Sequence, residues 1–335
     1  MNTGTRNSGK LSFNEAKKSV ASMNLIDGFL FDSTLENKDD AKVIMKSILK
    51  AVFNKDFVID DVTSQKSYQA IDTSYHGIRF DAYIEEDTQN NNFIATIYDV
   101  EMENRESDRK YLPKRFRYYG ALHDVKSLES GNDYDELPNF VSVTILSYDP
   151  FGAGDMYYEA STCLLTHPNI AYDDGIRHIY LYCNGNSNFD ALGSPVKISS
   201  EHSKKLKEML KYIVTGQKPS VPNNDIDAIE NIVTKVKNRK EVIGKYMQQW
   251  DRELSLKRDI TREVTREVTR EVTREVTREV TEDAALKLIC FSRRHHIPDE
   301  EIRENLVNDY NLTNSKIDEL FAKADTKETL AVTAN

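Results

Sequence analysis

Cysteine is scarce in this chain. Cys163, Cys183 and Cys290 are far apart, odd in number and without a Cys-x-x-Cys pair. A disulfide framework and a structural zinc site are therefore not expected. Long apolar runs are also missing: no stretch approaches the ~20 residues of a membrane span, and the first segment, MNTGTRNSGKLSFNEAKK, lacks an apolar core of signal-peptide length. A cytoplasmic protein without membrane contact is the expectation. Positive charge is not in excess either. The formal charge is −10, which argues against general adhesion to nucleic acid, so any DNA contact must use a local basic patch or metal ions. The hydrophobic fraction of 39% is low and the charged fraction of 30% high for a wholly packed fold. An extended, exposed helical region would account for both, beside a core that 335 residues amply support.

The chain is organised around GIRFDAYIEEDTQNNNFIATIYDVEMEN, residues 77–104. Two runs of β-forming residues, 78–84 and 93–102, flank a polar turn at 85–92, the pattern of an antiparallel hairpin. Alternation places Ile78, Phe80, Ala82 and Ile84 on one face, and Arg79, Asp81, Tyr83 and Glu85 on the other. In the second run Asp99, Glu101 and Glu103 share a face. If opposed residues sum to an even number, Asp81 and Glu101 emerge on the same side. Two such carboxylates suit a hard divalent cation such as Mg²⁺. They suit equally the wet face of a half-exposed sheet.

Before the hairpin, residues 1–22 are polar and read as a flexible N-terminus. Residues 24–53 read as a helix in two pieces, with Glu36 between them as a surface acid near a helix start. After it, KYLPKRFRYYGALHDVKSLESG reads as a helix with Pro113 in its first turn and Gly131 at its end. Arg109, Lys110, Lys114, Arg115 and Arg117 crowd its start, interleaved with Tyr118 and Tyr119. That cluster can hold phosphates, or pair with Glu103, Glu106 and Asp108 as a solvated helix face. Residues 140–148 and 177–183 read as strands, and Ser200 opens a further helix that closes near Gly216. An α/β domain over residues 23–215 follows. The segment TGQKPSVPNND, residues 215–225, is the best candidate for a domain boundary.

Beyond it, residues 216–282 read as a linker and long helix. Residues 261–280 are TREV written five times. A four-residue step turns about 400° on an α-helix, so successive valines drift by about 40° and abandon any fixed seam. A long coiled coil is disfavoured, although an oligomerisation stalk stays open as an alternative. Glu-to-Arg pairs at i,i+3 add about 0.2–0.5 kcal/mol each. Thr and Val are mediocre helix formers. A solvated helical spacer is expected. Residues 283–325 read as a small helical module with Ile302, Leu306, Leu312, Ile317 and Leu320 as core, and 326–335 as a flexible tail. Arg293, Arg294 and His295 would be available to DNA phosphates, but the acid-rich last helix points to a packing role.

Several blocks, in order, carry a resemblance: DGFLF, GIRFDAYIEED, YDVEMEN, LPKRFRYY, LESGNDYDELPN, SYDPFG and DGIRHIYLYCNGN. Over residues 24–215 the chain resembles the recombination-promoting nuclease/transposase family of the PD-(D/E)XK nuclease superfamily. The resemblance implies an α/β fold with a restriction-endonuclease-like αβββαβ core followed by an extended helical C-terminal region. It implies a Mg²⁺-dependent (or Mn²⁺-dependent) DNA endonuclease linked to recombination or transposition, with no nucleotide cofactor. Asp81, Glu101 and Glu103 fall at the catalytic positions. Asp81, Glu101 and Glu36 fall at the metal positions, where a cation would polarise the scissile phosphate. Lys114, Arg115, Arg117 and Tyr119 would position the DNA phosphates, and a homo-oligomer would allow two cuts. At Glu103 the superfamily places Lys and this family commonly Gln. An ionised Glu only accepts hydrogen bonds and repels phosphate unless it binds metal or a proton. On that reading Glu103→Gln raises cleavage. A nuclease-fold protein that only binds DNA or partners is the alternative.

For the repeat block, circular dichroism of a peptide spanning residues 261–280 is expected to show partial helix. A coil or strand spectrum would contradict the spacer reading.

Overall fold

The computed structural model describes residues 10–69, 76–86, 96–186 and 198–333. Two units divide the chain, Met1–Asp251 and Arg252–Asn335. In chain order the first unit contains α1 (Phe13–Ser22), α2 (Gly28–Thr34), α3 (Lys38–Phe53), β1 (Ile59–Ser64), β2 (Ser67–Tyr68), β3 (Ile78–Arg79), β4 (Ala82–Glu86) and β5 (Thr96–Glu103). There follow α4 (Leu112–Ser127), β6 (Asn139–Leu146), β7 (Tyr157–Ala160), β8 (Ile176–Tyr182), α5 (Ser200–Thr215) and α6 (Asn224–Lys237). Helix α7 (Lys240–Arg294) begins in the first unit and ends in the second, which continues with α8 (Asp299–Tyr310) and α9 (Asn314–Thr333). Among the described residues no helix is long and apolar enough to cross a membrane.

The fold is mixed α/β, built on a six-stranded sheet in the order β1-β4-β5-β6-β8-β7. Strands β1, β4 and β5 are antiparallel, β5, β6 and β8 parallel, and β7 antiparallel to β8. Alternation assigns the two faces. Ala82, Ile84, Tyr98, Val100, Val143, Ile145, Ile179 and Leu181 point to a core shared with α2, α3, α5 and α6. Ile44, Met45, Ile48 and Leu49 supply the α3 side and are fully buried. Each such side chain contributes about 1.5–3 kcal/mol. The opposite face lies under α4, whose Phe116 ring meets those of His178 and Tyr180.

Several expectations change. Residues 13–22, read as loose, form α1, opened by a capping box between Ser12 and Glu15 and anchored by buried Ala16 and Val20. The segment at 215–225 is a turn between packed helices rather than a domain boundary. Gly216 ends α5 at φ 68°, Asn223 caps α6, and Ile226, Ile229, Val233 and Val236 return to the core. Proline and polar residues serve a tight turn as readily as a linker. Helix α4 ends at Ser127, ahead of Gly131, which occupies a later turn. Strand β7 was not anticipated. The turn expected at 85–92 and the start of the second strand run fall largely outside the described residues.

The repeat block lies within α7, and its five valines are between 51 and 63% exposed. In the second unit Ala285, Ile289, Ile302, Leu306, Ile317, Leu320, Phe321 and Ala324 form a core, with Leu312 packed at its margin. Arg293 pairs with Asp299 and Asp325, and Arg303 with Asp318. The acids of α9 thus fasten helices together, and α9 extends past residue 325, where a loose tail was expected.

Ile44→Ala is expected to cost about 2–5 kcal/mol through the cavity it leaves. Urea unfolding followed by far-UV dichroism would show a lowered midpoint at unchanged slope.

Candidate active site

The first run of the hairpin is not one strand. β3 pairs with β2, β4 pairs with β1, and Asp81 stands at the break between them. The break is bonded on both sides: Gln65 N donates to Asp81 O (3.0 Å) and Phe80 N to Lys66 O (2.9 Å). Gln65 sits in the left-handed region at φ 53° and turns β1 toward β2. Its side-chain amide reaches α2 and donates to Asp32 Oδ2 at 2.5 Å.

The register of β4 against β5 sums to an even number, as in Ala82–Val100 and Tyr83–Asp99. Continued one step, it sets Asp81 opposite Glu101. On β5 the odd-numbered acids all face α4, and all are buried: Asp99 is 0%, Glu101 5% and Glu103 4% exposed. A wet sheet face is excluded by those values. The reason is topological, because β5 is paired on both edges and α4 crosses over it.

One cation enters this row from α4. Arg115 donates through Nη1 to Glu103 Oε2 (3.0 Å) and through Nη2 to Glu101 Oε2 (3.2 Å). Glu103 Oε1 also accepts the Arg105 backbone N–H at 2.9 Å. Asp99 has no such help, since both its oxygens are buried without a partner. The other buried, unpartnered side-chain polar atoms among the described residues are Arg115 Nε, Thr144 Oγ1 and Tyr148 Oη. Thr144 is the ladder partner of Glu101 on β6. The Tyr148 hydroxyl is pushed up to about 12 by burial and by the Glu103 charge.

Burial and mutual repulsion hold these acids toward their neutral forms. Glu101 is pushed up to about 8 by burial and then by Asp81, with Arg115 opposing. Asp99 lies well above the carboxylate range through burial and the charges of Glu101 and Asp81. Burial raises Asp81, against the Met102 N–H, Arg79 and Arg115, which favour its charged form. Asp32 is pushed up to about 6 by burial and by Asp81, with Arg79 and the Gln65 hydrogen bond opposing. Burial also raises Tyr119, with Glu101, Asp99 and Asp81 adding to the effect, so its hydroxyl keeps its proton.

The structure therefore gathers Asp81, Glu101, Glu103, Arg115 and Tyr119. Lys114 and Arg117 are exposed on the outer side of α4. Glu36 is directed elsewhere, to an ion pair with Lys245 at 2.6 Å. Leu35 ends α2, and Asp32, one turn earlier, is the helix acid that feels Asp81. Asp32, Gln65, Arg79 and Asp99 were missed as site residues. Alternation already paired Arg79 with Asp81 and Asp99 with Glu101, whereas Asp32 and Gln65 carried no local signal.

The donors are hard carboxylate oxygens, those of Asp99 unpartnered, which fits the chemistry of Mg²⁺ or Mn²⁺ at Asp81 and Glu101. Among the described residues no three His, Cys, Asp or Glu side chains are already set to hold a metal together. Arg115 occupies Glu101 and Glu103 instead. Comparisons with models of protein families, with curated proteins and with solved structures find no match.

The sign of the pH dependence follows from the raised carboxyls. Between the ordinary value of 4.5 and about 8 for Glu101, and between 3.8 and about 6 for Asp32, the folded state binds more protons than the unfolded chain. Stability contributed by these groups is thus lost as pH rises through those windows. Thermal melts in EDTA are expected to show it, with a shallower decline in Asp32→Asn and Glu101→Gln. An unchanged slope in both variants would contradict the assignment.

Proposed function

We propose that this chain is a metal-dependent DNA endonuclease that hydrolyses phosphodiester bonds in recombination or transposition. The observation that carries the reading is Asp81 set opposite Glu101 by the strand register, with Asp99 beside Glu101 under α4 and Asp32 of α2 close to Asp81. They come from α2, the β3–β4 break and β5, and Asp81 links them, since its charge raises the proton affinity of Asp32, Asp99 and Glu101. Buried acids of one charge are costly unless a cation or protons neutralise them. The element order also supports it. A helix, three antiparallel strands β1, β4 and β5, the crossover α4 and a parallel β6 follow the αβββαβ order of a restriction-endonuclease-like core.

Asp81 and Glu101 would hold Mg²⁺ or Mn²⁺, with Asp32 as the third acid in place of Glu36. When bound, such an ion supplies Lewis acidity toward a phosphate oxygen and acidifies water. Hydrolysis forms a P–O bond from water and breaks the P–O bond to a sugar oxygen, which gains the proton that water loses. Exposed Lys114 and Arg117, with Arg105 and Lys110 nearby in sequence, can engage DNA phosphates despite the net charge of −10.

A second reading, a nuclease-fold protein that binds DNA or partners without cutting, is favoured by one observation: Arg115 is salt-bridged to Glu101. Supercoiled plasmid with Mg²⁺ or Mn²⁺ separates the two. Nicking by the wild type, reduced roughly 100-fold or more in Asp81→Ala and Glu101→Ala, is expected for the enzyme. Equal activity in all three would remove this site, and DNA binding with no nicking would favour the second reading.

A further inference from the structure

Glu103 looks at first like an obstacle, an acid where an attacked phosphate needs positive charge. Its surroundings argue otherwise. We propose that Glu103 is the carrier of Arg115, and that Arg115 is the cation meeting the DNA phosphate beside Asp81 and Glu101. The inference rests on the nuclease reading and concerns how that site obtains its positive charge.

Glu103 is held at both oxygens, by Arg115 Nη1 at 3.0 Å and by the Arg105 backbone N–H at 2.9 Å. It is a fixed end. Arg115 is held from the other side by α4, where its neighbour Phe116 is fully buried. The guanidinium spans Glu101 and Glu103 because residues two apart on a strand share a face. Two of its nitrogens are engaged, and its Nε is buried without a partner. Each Nη keeps a second N–H beyond the bond it makes, and on a side chain still 23% exposed that planar fork matches a phosphate's oxygens.

The two bonds of Arg115 differ in consequence. Its contact with Glu101, at 3.2 Å, competes with a divalent cation for the same carboxylate. Its contact with Glu103 does not. Once a cation shares the Glu101 charge, Glu103 keeps Arg115 in the site and neutralises its tether at the same time. A neutral residue at 103 would hold the guanidinium less firmly and leave it on Glu101, in the cation's place. Glu103→Gln is therefore expected to lower cleavage, the opposite of what a repulsive acid predicts.

The experiment uses the full-length protein with two readouts: Mn²⁺ binding at pH 9, from the electron paramagnetic resonance of free Mn²⁺, and plasmid nicking. Arg115→Gln is expected to bind Mn²⁺ as tightly as the wild type or several-fold tighter, while nicking falls at least tenfold. Arg115→Lys is expected to retain part of the activity, and Glu103→Gln to lose several-fold. The double variant Glu103→Lys with Arg115→Gln, which moves the cation onto the strand, is expected to nick better than Arg115→Gln alone. Near-UV dichroism checks folding, and if Arg115→Gln does not fold, Arg115→Lys and Glu103→Gln decide. The proposal is overturned if Glu103→Gln cleaves faster than wild type, if folded Arg115→Gln loses Mn²⁺ binding together with nicking, or if the double variant recovers nothing. Asp81→Ala serves as the control: full nicking there removes the nuclease site itself, whereas an inactive Asp81→Ala beside a fully active Arg115→Gln removes only the role of Arg115.

Discussion

A row of acids buried on a central strand, met chiefly by the Arg115 guanidinium, is the constraint to which this face of the sheet is fitted. Asp99, Glu101 and Glu103 are nearly inaccessible. Ionised carboxylates in such a place are tolerated only with compensating charge or with protons. Arg115 compensates two of them, Glu101 and Glu103, and leaves Asp99 unpartnered. The site is therefore under-neutralised by its own residues. Burial and mutual repulsion make up the difference by holding protons on Asp99 and Glu101.

The same ion pair joins two structural levels. Strand β5 and β6 are parallel neighbours, so the chain must cross over between them, and α4 is that crossover. The helix brings Phe116, Leu122 and His123 inward and leaves Lys114, Arg117 and Tyr118 outward. Arg115 lies at the edge between these sets, part-buried, with its head among the acids. One helix thus supplies packing, the internal cation and an external basic surface. Separation of those roles by residues only one or two apart follows from the turn of about 100° per residue.

Much of this arrangement was legible. Period-two alternation and an even register place Asp81 with Glu101, and the observed pairs Ala82–Val100 and Tyr83–Asp99 have that parity. Helical spacing located α3, and Gly216 marked the end of α5. Asp32 was not legible. It sits within the apolar segment GFLFDST, and its link to the site depends on Gln65, a residue 33 positions away at a left-handed turn. Glu36 was the more visible acid because it lies at a helix junction, yet α2 has ended before it and Lys245 takes its charge. The turn at 215–225 misled for a related reason, since local composition does not say whether the next helix packs back.

The sequence by itself determined which residues share a strand face and where several of the helices lie, α3, α5 and the repeat block among them, because these are matters of local geometry and neighbour spacing. It also set the acids in a row on β5. Only the tertiary structure decided that the row is buried. Alternation is the same for a wet face and a covered one, and the difference is made by β6 pairing on one edge and α4 lying above. With that cover came the raised proton affinities of Asp32, Asp81, Asp99 and Glu101 and the capture of Glu103 by Arg115. Charge in water is cheap and charge under a helix is not, so the chemistry of these residues was settled by where the fold put them.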